Sequence, residues 1–351
     1  MAFSYYSPIS VNAAQVPSTQ TDFPMLVNVT DARFKTVSNG GHVGNANGFD
    51  IRPYSDSGLT TAITGYELER YNASTGEVVM WVKIATLSSS TTPVYLAYGD
   101  SGITTDGSSG SSTFSNNFSG VFHLKDGTTL SITDSTGTIS GSNNLATAAT
   151  GQIDGGSGHV SASTQFITYT TGVPSLTAIT VSAWVKATSF PNAYNSPVYK
   201  SDGSSRHWGI LVKSTGKLAL YYTATAEVSY DGTGSHTLTT GTWFYLVGTY
   251  SSAAGLTGYV NAASDGTAAA NGNLPSNGTT PIIDIGADPG AGGRLWNGTL
   301  DEVRISSVVR SADWITTEYN NQNAPGTFET LGTEVSLGGP IRNSNWLLFF
   351  T

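Results

Sequence analysis

Short stretches in which apolar and polar residues alternate recur along the whole chain, separated by Gly, Asn, Asp and Ser. Side chains of a β-strand point alternately to its two faces, so a period of two indicates strands with one buried face. The many β-branched and aromatic residues in these stretches support the same assignment. In the first third of the chain, the pattern predicts strands at residues 23–29, 65–71, 77–84 and 93–98.

A second, longer series of such stretches begins after residue 120. Its number and spacing are typical of two stacked antiparallel sheets. The pattern predicts strands at residues 165–170, 179–187, 208–213, 217–222, 243–250, 258–261, 282–287 and 299–305. We therefore predict an all-β protein in which an N-terminal β sandwich is followed by a jelly-roll sandwich.

The two series are separated by residues 101–117, which are mostly Gly, Ser and Thr. Such a stretch contributes little to a core and is typical of a linker. With 351 residues, the chain is long enough for two domains that each bury a core. We predict an N-terminal module at residues 1–116, a second module at residues 117–335 and a hydrophobic tail at residues 336–351.

One helix is predicted at residues 312–322. Ser311 is a good N-cap, and the acidic Asp313 lies in the first turn, where a negative charge is favourable. Ile315 and Tyr319 follow at helical spacing. The helix is too short to define the fold.

Trp184 lies in the strand predicted at residues 179–187, on the face opposite three small apolar residues. It either packs under a neighbouring strand or loop, or lines an open face on which a ligand could stack. We favour packing, because aromatic rings contribute much of the energy of a core.

The composition excludes several classes of protein. Charged residues make up 11% of the chain, the formal net charge is −9, and Lys and Arg are scattered singly, so we expect no nucleic-acid partner. The chain has no Cys, so disulfides and thiolate metal sites are excluded. No apolar stretch is long enough for a membrane span, and we expect no export signal at the N-terminus.

The last eleven residues, 341–351, contain the apolar run from Trp346 to Phe350. Such a run is normally covered, so we consider docking on a partner such as a capsid or tail protein of a virion. The equal alternative is that it folds back as an edge strand on its own domain. Deletion of residues 336–351 distinguishes the two, because unchanged assembly would exclude docking.

Five motifs in the first module resemble a known family, the domain of unknown function that commonly precedes LamG modules. They are residues 23–29 (FPMLVNV), 48–52 (GFDIR), 66–71 (YELERY), 81–84 (WVKI) and 94–99 (VYLAYG). All five recurring elements of that family have a counterpart here, and the resemblance implies a β-sandwich module.

The second module resembles a LamG-type, concanavalin-A-like domain. The closing segment of that domain has counterparts in residues 298–306 (GTLDEVRIS), 310–315 (RSADWI) and 318–322 (EYNNQ), and its central strands in 183–186 (AWVK) and 243–250 (WFYLVGTY). The resemblance implies a concanavalin-A-like jelly roll. It does not imply an activity, because this fold carries many functions.

We expect no catalytic site. Glycosidases of the concanavalin-A-like fold carry the motif E-x-D-x-E on one strand, and this motif is absent from the chain. Glu67 and Glu69 point to one face of a predicted strand, but solvated glutamates on an open face explain them better than paired catalytic carboxylates.

Asp301 is the one metal candidate. Proteins of the resembled fold often hold a structural calcium at this strand, and calcium prefers carboxylate and carbonyl oxygens. The alternative is that Asp301 and Arg304 pair within the sheet.

A ligand-binding region is predicted where aromatic rings cluster beside polar side chains. Sugar sites combine aromatic faces with fixed hydrogen-bonding groups. The candidates are Tyr194, Arg206, His207, Trp208, Tyr222 and Tyr230. Core packing explains most of these rings as well, since a sandwich must bury aromatic residues somewhere.

Together these features lead to the hypothesis of a non-catalytic virion surface protein, either a capsid decoration protein or a tail or fibre protein. It would bind host or environmental glycans through its lectin-like domain. Repeated copies, including homo-oligomers, would raise avidity. The alternatives are a secreted bacterial or archaeal adhesin at the cell surface and a polysaccharide-degrading enzyme.

Overall fold

The computed structural model describes residues 3–88, 94–125, 129–202, 205–223, 227–288 and 294–338. Within these residues the protein is almost entirely β, as predicted, and its antiparallel strands form four sheets. The first module contains β1 (Tyr5–Val11), β2 (Gln20–Thr30), β3 (Arg52–Tyr54), β4 (Tyr66–Asn72), β5 (Glu77–Leu87) and β6 (Val94–Tyr98).

The rest of the chain begins with a single helical turn, α1 (Gly110–Thr113), and continues through a long series of strands. These are β7 (Phe118–Phe122), β8 (Ser140–Asn144), β9 (Thr147–Thr150), β10 (Gly155–His159), β11 (Phe166–Thr171), β12 (Ala178–Ala187), β13 (Tyr194–Ser201), β14 (Arg206–Lys213), β15 (Leu218–Thr223), β16 (Glu227–Asp231), β17 (Trp243–Ser251), β18 (Gly255–Val260), β19 (Ala263–Ala268), β20 (Ile282–Ile285) and β21 (Gly298–Ser306). The last elements are α2 (Ala312–Asn323), α3 (Pro325–Phe328), β22 (Glu329–Leu331) and β23 (Val335–Ser336).

The first module is a sandwich of two sheets. One has the strand order β22-β1-β6-β3, with β23 also paired to β1, and the other has the order β2-β5-β4. Alternation along β5 explains the packing: Val78, Met80 and Val82 point into the core between the sheets. Val79 and Trp81 point to the opposite face, where they pack against the second module.

The C-terminal strands belong to the first module and not to the second. Ile9 of β1 pairs with Leu331, and Tyr6 pairs with Val335. The sequence predicts a second module that extends to residue 335, but the strand pairing assigns residues 329–331 and 335–336 to the first sheet. Strands of two or three residues give no detectable alternation, and their partner lies more than 300 residues earlier, so local sequence could not reveal this pairing.

The second module is a jelly roll of two stacked sheets. The eight-stranded sheet has the order β19-β18-β17-β12-β21-β10-β9, with β7 paired to β21, and the seven-stranded sheet has the order β16-β15-β14-β13-β20-β11-β8. Val181 and Val185 of β12 and Ile210 and Val212 of β14 belong to one continuous core between the two sheets. This is the architecture that the sequence predicts.

Helix α2 begins and ends within one residue of the prediction, and Ser311 caps it by accepting a hydrogen bond from the Trp314 amide. It lies between the modules. Trp314 packs into the core of the first module, and Ile315 packs on the outer face of the eight-stranded sheet, against Trp184. The helix therefore joins the two modules despite its short length.

Trp184 is buried, as favoured, although a helix and not a strand or loop covers it. Its side chain is 1% exposed and its indole Nε1 donates to Gln322 Oε1 at 2.7 Å. The predicted linker is also packed: Phe114, directly after α1, is 1% exposed and contacts Trp81. None of the described helices is long and apolar enough to cross a bilayer.

Candidate functional site

A pocket of about 170 Å³ opens on the outer face of the seven-stranded sheet. On β15, Leu218, Leu220 and Tyr222 point into the core, so Tyr221 points outward. We call this site the tyrosine pocket; the residues that give it its chemistry are Tyr194, Arg206, Tyr221, Ser229, Asp231 and Arg294.

Charged groups hold the rings of the tyrosine pocket in place. The hydroxyl of Tyr194 donates to Asp231 Oδ1 at 2.8 Å, and the Arg294 guanidinium lies over the Tyr194 ring at 5.1 Å from its centroid. The Arg206 guanidinium lies 5.7 Å from the centroid of Tyr221. Such cation–π contacts restrain both partners. The pocket thus presents ordered aromatic surface beside fixed donors and acceptors.

The Asp231 carboxylate is ionised at neutral pH. Its partial burial would raise its pKa, but hydrogen bonds from Tyr194 and Lys213 hold that pKa below its ordinary value. Lys213 Nζ lies 3.0 Å from Asp231 Oδ2. Asp231 is therefore available as an acceptor for hydroxyl groups.

The structure brings three of the six predicted ligand-binding residues to this pocket: Tyr194, Arg206 and Tyr230. Tyr194 and Arg206 are partly exposed. Tyr230 is 4% exposed and its hydroxyl donates to the backbone oxygen of Asp265 at 2.9 Å, so it supports the wall of the pocket.

The other three predicted residues do not reach the pocket. Trp208 and Tyr222 are 1% and 0% exposed and lie in the core between the two sheets, so they cannot contact a ligand in the pocket. His207 is also buried, and its Nε2 lies 3.3 Å from Asp202 Oδ2. Aromatic content alone cannot distinguish these buried residues from those that line the pocket, because a sandwich contains aromatic side chains both in its core and on its surface.

Tyr221 and Arg294 line the pocket but are not among the six predicted residues. Tyr221 was detectable, because Leu218, Leu220 and Tyr222 share the apolar face of β15 and leave Tyr221 on the other face. Arg294 gave no signal, since it comes from a distant loop. Only the fold places it over Tyr194.

A second polar site lies buried between the modules, and we call it the inter-module cluster. The first module supplies Glu67 and Glu69, and α2 supplies Glu318. The second module supplies His123, Asp154, Asp301, Glu302 and Arg304.

Arg304 organises one side of this cluster. Its Nη2 donates to Glu302 Oε2 at 2.6 Å and its Nη1 to Glu318 Oε1 at 2.8 Å. Its guanidinium also lies 4.2 Å from the centroid of the Trp81 ring. Glu302 takes a φ of 48°, where the register between β12 and β21 shifts. The ion pairs of Glu302 with Arg304 and with His123 offset the strain of this bulge.

His123 faces carboxylates on several sides. Its Nδ1 lies 2.5 Å from Glu302 Oε1 and 3.6 Å from Glu69 Oε2, and its Nε2 lies 3.6 Å from Glu67 Oε2. Burial would lower the pKa of the imidazole, but the surrounding carboxylates raise it well above its ordinary value. Burial raises the pKa of Glu69 to about 8.

The structure overturns our interpretation of Glu67 and Glu69 as solvated glutamates. Glu69 is 7% exposed and accepts a 2.6 Å hydrogen bond from Trp81 Nε1. Both side chains point to one face of β4, as predicted, but the second module covers that face. Sequence could not show this, because the covering residues lie 50 or more positions away.

Asp301 is also buried, and burial raises its pKa well above the ordinary value. Its Oδ2 accepts hydrogen bonds from the backbone N–H groups of Gln152 and Ile153 at 2.7 and 3.0 Å. Its Oδ1 has no hydrogen-bond partner within the described residues. Asp301 thus offers a calcium ion one free oxygen, and calcium at Asp301 stays a prediction. Arg304 pairs with Glu302 and Glu318, not with Asp301.

The two stacked sheets define a concanavalin-A-like module. Residues 154–316 match the laminin G-type family described as the Concanavalin A-like lectin/glucanases superfamily. The match does not extend to the first module, whose resemblance to the domain that precedes LamG modules stays a prediction. A comparison with curated protein sequences finds no match to this chain.

Among solved structures, the chain is similar to domain 4 of AbnA, a GH43 extracellular arabinanase from Geobacillus stearothermophilus, with 18% identity and a TM-score of 0.43 over 57% of this chain and 97% of that one. It is also similar to the receptor binding domain of botulinum neurotoxin type G, with 11% identity and a TM-score of 0.45 over 59% and 51%. A third similar structure is Trypanosoma rangeli sialidase, with 12% identity and a TM-score of 0.43 over 59% of this chain and 33% of that one. These values are low, and the function is therefore argued from the residues of this chain.

Proposed function

We propose that this protein binds carbohydrate without cleaving it, and that the tyrosine pocket is the binding site. The observation that carries the proposal is the partly exposed pair Tyr194 and Tyr221, each held by an arginine, beside the carboxylate of Asp231. Aromatic faces fit the C–H surfaces of a sugar, and fixed polar groups fit its hydroxyls. The family matched by residues 154–316 is described as lectins and glucanases.

Binding without hydrolysis fits the charges at this site. Glycosidases need two carboxyl groups that flank the scissile bond. In the part of the chain that the structure describes, Asp231 is the only carboxylate lining the tyrosine pocket. The volume of the pocket, about 170 Å³, is also below the roughly 300 Å³ at which sites for drug-sized ligands begin. We therefore expect recognition of one or two sugar units.

A glycan array followed by calorimetry on the best ligand tests this proposal. We expect Tyr221→Ala and Arg206→Ala to weaken binding at least tenfold, because each removes part of the ring and guanidinium surface. Tyr95→Ala, which removes a partly buried tyrosine ring from the first module, is the control and should bind like the wild type. Equal binding by all variants, or release of reducing ends from a bound polysaccharide, would contradict the proposal.

We further propose that the protein is displayed on a virion surface, where many weak contacts give high avidity. The apolar run from Trp346 to Phe350 supports this, since it suits attachment to a capsid or tail protein. That run lies outside the described residues. Electron microscopy with a labelled antibody tests the proposal, and label on a cell envelope would favour an adhesin instead.

A further inference from the structure

The inter-module cluster carries more acid than its basic side chains can neutralise. Its basic members are His123 and Arg304, and Arg304 is already shared between Glu302 and Glu318. Lys125 and Arg70 add positive charge near Glu67 and Asp154, so four basic side chains face six carboxyl groups. The remaining carboxyl groups are Glu67, Glu69, Asp154 and Asp301. Buried carboxylates need a compensating charge or hydrogen bonds.

Several polar atoms of the cluster lack hydrogen bonds. Among the described residues, Glu69 Oε1, Asp154 Oδ2 and Asp301 Oδ1 are buried without a hydrogen-bond partner, and His123 Nε2 faces Glu67 Oε2 at 3.6 Å. Buried polar atoms are nearly always satisfied, so the free Oε1 leaves the Glu69 carboxylate able to accept a further partner. Glu69 is 7% exposed and His123 3%.

Three side chains of the cluster converge as metal ligands do. One ligand atom from each of Glu69, His123 and Glu302 lies within 4.8 Å of the other two. We propose that this group binds a divalent transition-metal ion such as Zn²⁺, which thereby ties the first module to the second.

The surroundings suit such an ion. Trp81 Nε1 holds the carboxylate of Glu69, and Arg304 holds Glu302 through Oε2, which leaves Oε1 of Glu302 towards His123. Outer partners of this kind orient ligands in known metal sites. A cavity of about 110 Å³, lined by the buried His123 and the exposed Thr133, brings solvent close to one of the three ligands.

The distances require only a small adjustment. A tetrahedral ion bonded at about 2.1 Å to each ligand holds neighbouring ligand atoms roughly 3.4 Å apart. His123 Nδ1 and Glu69 Oε2 are already 3.6 Å apart. His123 Nδ1 and Glu302 Oε1, at 2.5 Å, must separate by less than about 1 Å. An imidazole ligand favours zinc over calcium and over manganese, both of which prefer oxygen ligands.

The test uses the full chain, stripped with a chelator, dialysed and then incubated separately with Zn²⁺, Mn²⁺ and Ca²⁺. We expect elemental analysis to find about one zinc ion per chain after incubation with Zn²⁺. We expect an excess of metal to raise the midpoint of thermal unfolding by roughly 5 °C. No retained metal, or stabilisation by calcium alone, would overturn the proposal.

Variants assign the site. His123→Gln and Glu69→Gln should lose the metal and the thermal shift, and Asp301→Asn should keep both. His42→Gln is the matched control, because His42 pairs with Glu334 at 2.8 Å outside the cluster, and it should also keep both. Metal retained equally by His123→Gln would overturn the assignment.

A buried substitution can prevent folding, so X-ray absorption of the zinc-loaded wild type provides an independent measurement. We expect one imidazole nitrogen among oxygen ligands. A spectrum without imidazole would exclude His123.

Discussion

At the scale of single residues, burial controls how the acids of this protein behave. Glu329 lies at the start of β22 and is 3% exposed. Its Oε1 accepts a 3.0 Å hydrogen bond from the backbone N–H of Asn28, and its Oε2 has no hydrogen-bond partner within the described residues. Burial raises its pKa to about 8, above the value of 4.5 for a free side chain. The folded state therefore holds a proton that the unfolded chain releases.

This linkage predicts a pH dependence of stability. Between about pH 4.5 and 8 the unfolded state loses the Glu329 proton first, so the free energy of unfolding falls as pH rises. Glu329→Gln cannot titrate and keeps the 3.0 Å acceptor. We expect urea unfolding to show that the free energy of unfolding of the wild type falls by up to about 4 kcal/mol over this pH range. The variant should not show this fall. Parallel pH slopes for the two proteins would contradict a raised pKa at Glu329.

At the scale of elements, short segments near the C-terminus complete structures that begin at the N-terminus. β22 and β23 cover one edge of β1, and Phe328 of α3 lies in the core of the first module. Asn321 of α2 binds both the backbone N–H and the C=O of Leu26, at 2.7 and 2.9 Å, and so caps the free edge of β2. Unpaired strand edges are thereby protected.

Two deletions test the role of the closing strands. Removal of residues 329–351 exposes the edge of β1 and removes Glu329, so we expect the thermal midpoint to fall by roughly 10 °C or more. Removal of residues 339–351 leaves β23 intact and is the matched control, with the wild-type midpoint expected. Equal midpoints for both deletions would show that β22 and β23 contribute little.

At the scale of the whole molecule, the two modules share a core. Leu26, Val79 and Trp81 of the first module pack against Phe114 and Val121, next to the inter-module cluster. Trp314 of α2 lies in the core of the first module, although α2 also covers the second. Separation of the modules would expose all of these groups together.

Shared burial predicts that the modules unfold together. We expect calorimetry of the full chain to show a single transition whose calorimetric and van't Hoff enthalpies agree. Two resolved transitions would mean that the interface adds little to stability. The metal-stripped protein should be used, so that ion release does not distort the curve.

The sequence by itself determined the fold class, about half of the described strands, helix α2 and the face of Trp184. These features follow from local patterns: alternation fixes which side chains share a face, and a capping serine marks where a helix begins. Tyr194 and Arg206 were selected because aromatic and polar residues cluster around them in the sequence, although no strand is predicted at Tyr194–Ser201.

Only the tertiary structure decided what covers each face. It buried Trp208 and Tyr222, enclosed Glu67 and Glu69, brought Arg294 over Tyr194 and returned residues 329–336 to the first sheet. The reason is physical: burial and pKa depend on which distant segments exclude water from a side chain. A strand pattern specifies two faces, but the partner of each face is chosen by the whole chain.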